Sequence, residues 1–331
     1  MSESAPSPAV VSRSFGISRS AAAKAPGRDA VRDKGWWLAH RFLLLRRLSQ
    51  AAIFALFLLG PLAGVWVVKG NLSSSLTLGT LPLTDPFTLA QVLATRHGPE
   101  ASALIGAAIV IAFYATVGGR VFCSWVCPVN VVTDSAAWLR RRLKIGTGRA
   151  PRGGLRYWLA GAVLVACALT GHTVWESVNP VSMTQRALIF GGSVAWGATA
   201  AVFLFDLLVA PRGWCGHVCP VGASYALIGQ KSLLRVAATH SSRCNDCADC
   251  YAVCPEPQVI VLPLKGKAPR APATPAPRGG WFGLGRPGAE PGKAGHGPVI
   301  TDRECTNCGR CIDVCAPNVF QYTHRLDSKR D

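Results

Sequence analysis

The apolar residues of this chain gather into four blocks without Lys, Arg or Glu: Leu48–Val68, Ala101–Gly118, Tyr157–Trp175 and Leu188–Ala210. Asp206, near the end of the fourth, is the one acidic residue among them. Each block is about long enough to cross a hydrocarbon core of ~30 Å at ~1.5 Å per residue. None alternates apolar and charged faces as a helix on a soluble core would. The pattern predicts four transmembrane helices. Two short apolar runs nearer the C-terminus, Val259–Leu262 and Val319–Tyr322, predict small strands.

Basic residues give the blocks a direction. Of 35 Lys and Arg, nine precede the first block, eight lie in 119–156 and fifteen follow residue 210. The other two connections hold only Lys69, Arg96 and Arg186. This asymmetry predicts a multi-pass protein of the bacterial inner membrane with both termini and the middle connection in the cytoplasm. The net charge of +18 is therefore a topology signal, and no nucleic-acid-binding motif accompanies it. Arg46-Arg47 reads as the anchor of the first span rather than an export signal, because three more spans follow. Residues 1–47, rich in Ala, Ser and basic residues without periodicity, are expected to form an unstructured cytoplasmic tail.

The membrane part, 48–235, contains an internal repeat. Arg120-Val-Phe-Cys123-Ser-Trp-Val-Cys127-Pro128-Val is echoed by Arg212-Gly-Trp-Cys215-Gly-His-Val-Cys219-Pro220-Val. Each copy follows an even-numbered span, which implies a duplicated two-helix hairpin ending in Cys-x3-Cys-Pro. In a helix, cysteines four apart share a face, so pairing the repeats would bring four thiols to one place. Metal ligands, a dithiol couple and a docking contact all remain open as their role. Cys167, alone within the third span, reads as a small packing residue.

Chemistry is most legible at the C-terminal end. Cys244-x2-Cys247-x2-Cys250-x3-Cys254-Pro255 and Cys305-x2-Cys308-x2-Cys311-x3-Cys315 are two copies of one pattern. In two-cluster ferredoxins the fourth cysteine of each run serves the other cluster. One [4Fe–4S] cluster is then assigned Cys244, Cys247, Cys250 and Cys315, and the other Cys305, Cys308, Cys311 and Cys254. Structural zinc prefers two well-separated pairs of ligands and fits this spacing poorly. Residues 236–331 thus form a two-cluster ferredoxin-like α+β domain, and 265–298, packed with Pro, Gly and Ala, a flexible insertion. The expected fold class is an α-helical membrane protein carrying that domain at its cytoplasmic C-terminal end.

Spans, paired Cys-x3-Cys-Pro motifs and ferredoxin cysteines together resemble the NapH/MauN family over roughly residues 45–325. The resemblance implies a redox subunit of a membrane quinol dehydrogenase rather than a stand-alone enzyme. It further implies two [4Fe–4S] clusters, a quinol substrate, a NapG-like iron–sulfur partner, a NapC-like cytochrome and a periplasmic nitrate reductase. MauN-like service in methylamine utilisation is the close alternative. A CcoG-like oxidase-maturation or metal-reducing factor shares the motifs but continues into an extra domain, whereas this chain stops sixteen residues after Cys315. A NosR-like regulator needs a large outer domain, and the outer connections here are about 32 and 12 residues.

No Cys-x-x-Cys-His, P-loop or dinucleotide fingerprint is present, which argues against covalent haem, nucleotide hydrolysis and direct oxidation of a nicotinamide. For the quinol site the candidates are ionisable residues at membrane depth. On the cytoplasmic side these are Asp206 and His217, and on the outer side His172 and Glu176.

Overall fold

The computed structural model describes residues 26–145, 154–191, 193–265 and 298–326. Apart from its ends, the expected insertion at 265–298 lies outside them, as do residues 1–25 of the expected tail. Helix α1 (Arg28–Lys34) leads through Gly35 into α2 (Trp36–Ala63), which Gly64 ends in a left-handed conformation. Among the described residues, α2 is the one helix long and apolar enough to cross a membrane.

The chain from Arg28 to residue 47 is thus helical, where an unstructured tail was expected. The cause is a partner that composition cannot announce. The amide of Gly27 donates to Asp249, Lys34 Nζ donates to the carbonyl of Ile312, and the amides of Phe42 and Leu43 donate to Asp313. These contacts tie α1 and α2 to the cysteine-rich module.

After α2, strands β1 (Val68–Gly70), β2 (Ser74–Thr77) and β3 (Leu81–Thr84) form an antiparallel sheet. Asp85 then caps α3 (Pro86–Ala94), accepting the Thr88 amide at 3.0 Å. The second apolar block is α4 (Ala101–Val117). Next come the short α5 (Val121–Trp125) and the basic-ended α6 (Val129–Arg142). The third block is α7 (Leu155–Thr170), followed by α8 (Val174–Val178) and α9 (Pro180–Phe190).

The fourth block is not one helix. Gly191, at φ 70°, ends α9, and α10 (Ser193–Leu204) starts afresh before widening into a π-helical segment, Phe205–Val209. A second π segment, Trp214–Val218, carries Cys215, and α11 (Pro220–Ile228) follows it. Asn179 caps α9 at a proline just as Asp85 caps α3. The duplication therefore extends to Asp85-Pro86 and Asn179-Pro180, a pairing visible in the sequence once the caps are known. Across the repeats, Phe122 stacks on Tyr225 with ring centroids 4.7 Å apart, and Tyr114 meets Tyr225 edge-on at 5.0 Å. Gly119 permits this closeness, since a Cβ there would collide with the Tyr225 carbonyl.

The cysteine-rich module is built from β4 (Leu234–Ala237), α12 (Asp249–Val253), α13 (Gln258–Lys265), α14 (Arg310–Val314) and β5 (Gln321–His324). β4 pairs antiparallel with β5, Val236 opposite Tyr322. The strand expected at Val259–Leu262 is instead part of α13: β4 already occupies the place beside β5, and Ile260 and Leu264, one turn apart, face the core. That core holds Val236, Ile260, Ile300, Val319 and Phe320, all buried.

Candidate functional site

Both cysteine runs adopt the same backbone. Asp246 and Ala248 in the first, and Asn307 and Gly309 in the second, take left-handed φ at equivalent places. Alternating conformations of this kind turn successive N–H groups inward into a concavity suited to an anion. For Asp, Ala and Asn the conformation is unfavourable, so it has to be held by the surrounding fold. At Gly309 the glycine is needed for a second reason, because Phe42 of α2 packs where a Cβ would stand.

The eight cysteines are divided between two small cavities. One is lined by Cys244, Cys247, Cys250 and Cys315, the other by Cys254, Cys305, Cys308 and Cys311. Each set takes its fourth thiol from the opposite run. All thirteen cysteines are free. Four reduced thiols around a cavity with inward-turned amides form a donor set that fits a cuboidal iron–sulfur cluster.

The two cavities differ electrostatically. Burial pushes seven of the eight thiols up, Cys305 to about 11. Cys308 is the exception. Burial acts on it in the same sense, but the guanidinium groups of Arg310 and Arg46 outweigh it and hold the thiol below its ordinary value.

The four cysteines of the paired Cys-x3-Cys-Pro motifs also come together. Phe122, Val129, Val221 and Tyr225 pack around Cys123, Cys127, Cys215 and Cys219, of which Cys127 is buried and the rest half-buried. Burial raises all four thiols, Cys219 to about 12; neighbouring cysteines add to the effect at Cys127, Cys215 and Cys219, while Arg120 and Arg156 oppose it at Cys123. They are therefore held protonated near neutral pH. Cys215 Sγ also lies 3.9 Å from the Thr133 hydroxyl.

This thiol group touches the second ferredoxin run directly. Between Cys123 and Cys127, Ser124 Oγ donates to the carbonyl of Thr306 at 2.9 Å and Trp125 Nε1 to that of Asn307 at 3.2 Å. Thr306 and Asn307 lie between Cys305 and Cys308. The second motif reaches the same set from its other side, where Gly216 lies under Glu256, two residues beyond Cys254.

The candidate quinol residues lie in different surroundings. Asp206 is fully buried in the first π segment and accepts the Trp214 amide at 2.9 Å. His217 faces Glu256, Arg156 and Arg120, and burial draws its imidazole below the ordinary value. Glu176, by contrast, joins Ser73, Thr88, Asn179 and Ser182 in one hydrogen-bonded cluster. His172 is exposed. Cys167 packs as expected, fully buried with its sulfur 3.8 Å from Gln91 Oε1.

Two ionic clusters fasten the module to the helices. Arg120, the first residue of the first motif, donates to Glu256 at 2.9 Å, to Glu304 at 3.2 Å and to the Cys215 carbonyl at 2.9 Å. Arg156 pairs with the same two glutamates. Asp134 meets Arg46, Arg47, Arg212 and Arg310. The partners Glu256, Glu304, Asp134 and Arg156 carry no motif in the sequence. The equivalence of Arg120 and Arg212 in the repeat was the available signal, since both stand at the head of a motif and both enter these clusters.

Glu256→Gln should leave two buried guanidinium groups short of a counter-charge. Breaking a buried pair costs about 3–5 kcal/mol, so the thermal transition of the detergent-solubilised protein should fall by several degrees; an unchanged transition would dismiss the latch. Burial alone would raise the Glu256 carboxyl, but Arg120 and Arg156 outweigh it and hold it below the ordinary value. A depressed carboxylate stabilises the fold above its unfolded pKa of ~4.3 and loses that contribution as the pH falls through the folded value. The latch should therefore weaken only in acid.

Residues 101–146 and 188–237, the two halves of the repeat, match the family described as "4Fe-4S binding domain". Residues 237–316 match the family described as "4Fe-4S dicluster domain". Ferredoxin-type protein NapH of Haemophilus influenzae is 47% identical over 307 residues, which cover 92% of this chain and 98% of that protein. Ferredoxin-type protein NapH of Escherichia coli K12 is 46% identical over 91% of this chain and 96% of its own. Methylamine utilization ferredoxin-type protein MauN of Methylorubrum extorquens is 51% identical over 76% of this chain and 86% of its own. No solved structure matches the chain. The chain belongs to the NapH/MauN family of ferredoxin-type, iron–sulfur electron-transfer proteins.

Proposed function

We propose that the chain is the electron-transfer subunit of a membrane quinol dehydrogenase, working in the manner the NapH resemblance implies, with a NapG-like iron–sulfur subunit and a NapC-like cytochrome. Cys244, Cys247, Cys250 and Cys315 hold one [4Fe–4S] cluster; Cys254, Cys305, Cys308 and Cys311 hold the other. Clusters held there would supply one-electron transfer. The observation that carries the reading is the pair of hydrogen bonds from Ser124 and Trp125 to the carbonyls of Thr306 and Asn307. Through them the paired thiols of the helical part abut the second cluster set. A protein that only stored iron would have no need of that junction.

A pair among Cys123, Cys127, Cys215 and Cys219 would serve as a dithiol couple: as a disulfide it would take two electrons and two protons from a quinol, its S–S bond breaking to two thiols, and it would re-form as the electrons pass singly to the cluster sets and the protons leave. Asp206, fully buried and within electrostatic reach of Cys215, is the candidate to accept a proton from the quinol. Similarity over 92% of the chain favours NapH-like over MauN-like service, where the match covers 76%. Following cluster reduction by quinol in variants of the four membrane-side cysteines tests the proposal.

Membrane placement rests on the four apolar blocks, the basic residues at their ends and the exposure of the helices' apolar side chains. Leu48, Leu62, Ile105, Leu169 and Phe190 are all exposed, where a soluble core would have buried them. Reporter fusions after residues 75 and 185 should therefore give a periplasmic signal, and fusions after residue 145 and at the C-terminus a cytoplasmic one. A periplasmic C-terminus would contradict the topology.

A further inference from the structure

The two ferredoxin runs superimpose in sequence, so each position in one has a counterpart in the other. Between the second and third cysteines the first run has Ala248-Asp249 and the second Gly309-Arg310. The equivalent positions thus carry opposite charges. Both side chains are at least nine-tenths buried, where solvent screens them least.

Their surroundings extend the contrast. Arg310 Nη2 meets Asp134 at 2.6 and 2.7 Å, and that single carboxylate also serves Arg46, Arg47 and Arg212. Four guanidinium groups share one negative charge beside the second cavity. Near the first cavity, Asp249 accepts the Gly27 amide, while Asp246 is matched by Lys265. Lys34 lies on this side too, its ammonium bonded to the Ile312 carbonyl. Near the second, Glu256 and Glu304 are matched by Arg120 and Arg156.

Reduction adds one negative charge to a cluster. Fixed positive charge stabilises the reduced form and fixed negative charge destabilises it; net local charge is among the terms that set these potentials. Burial alone works against the second cluster, since Thr306 and Asn307 beside it are buried where the matching Asn245 and Asp246 are exposed, and the guanidinium excess opposes that.

We propose that Arg310 and Asp249 split the reduction potentials of the two clusters, placing the cluster of Cys254, Cys305, Cys308 and Cys311 above that of Cys244, Cys247, Cys250 and Cys315. The centre abutting Ser124 and Trp125 then fills first. The second electron of a quinol goes on to the centre beside the exposed Asn245 and Asp246. The inference rests on the cluster assignment proposed above.

The test is an EPR-monitored redox titration of the full-length protein in detergent, with the second-run signal identified as the one lost in Cys305→Ser. Arg310→Gln should shift that signal to lower potential and leave the first-run signal in place. Arg310→Lys, which keeps the charge, should titrate close to the unaltered protein. Asp249→Asn retains the acceptor for Gly27 and should shift the first-run signal to higher potential. Opposite shifts on different clusters are not what local loosening would produce. Shifts of the same sign, a lower second-run than first-run potential in the unaltered protein, or no shift in either variant would overturn the proposal. If Cys305→Ser removed neither signal selectively, the assignment itself would fall, and the inference with it.

Discussion

Serine at Cys254 should strip the cluster of the second run and spare that of the first, although Cys254 is separated from Cys305 by fifty residues of sequence and from Cys250 by three. The fold explains the inversion. Cys254 follows α12 and lines the cavity of Cys305, Cys308 and Cys311, while Cys315 follows α14 and lines the other. A serine hydroxyl is a far poorer ligand than a thiolate, because it is not ionised near neutral pH. Anaerobically purified protein should hold about eight iron and about eight acid-labile sulfide, as two cubes require. The variant should hold about half of each, with the surviving EPR signal abolished by a further Cys244→Ser substitution. Loss of the first-run cluster alone would show that each run binds its own cube.

The cysteine chemistry was legible because it is local. Spacings of two and three residues are read directly from the chain, and both runs repeat one turn, at Asp246 and Asn307. The repeated Cys-x3-Cys-Pro was legible for the same reason, and its four thiols do meet. Contacts between distant segments were not legible. Nothing near Arg28 announces that α1 and α2 will lie against Asp249 and Asp313, so a helix passed for a tail. Val259–Leu262 reads as a strand on residue type alone, and only the presence of β4 beside β5 makes it helical. The break at Gly191 hides inside an apolar block because glycine is common in membrane helices; what ends the helix there is a φ of 70° at Gly191. Asp134 and Glu256 are single acidic residues in ordinary stretches, and their importance arises from the arginines that five separate segments bring to them.

The largest functional effect is expected at the thiols of the paired Cys-x3-Cys-Pro motifs. Replacing Cys123 and Cys127 together by alanine, or Cys215 and Cys219, removes half of the thiol group but none of the eight ferredoxin cysteines. Ser124, Trp125 and the Arg120 latch are untouched, so the junction with Thr306 and Asn307 should persist. Quinol-dependent reduction should then drop by at least about a hundredfold, as expected when a group required for transfer is removed rather than weakened. Dithionite should still reduce both clusters fully. If iron content falls as well, the four thiols hold the repeats together and the relay reading fails.

Anaerobic EPR on membranes during quinol turnover decides the central claim, that electrons reach the clusters by way of the paired thiols, because one sample reports both cluster content and cluster reduction. In the Cys123→Ala/Cys127→Ala variant the account predicts two intact clusters that quinol no longer reduces. Reduction at the unaltered rate, with full iron content, would contradict it.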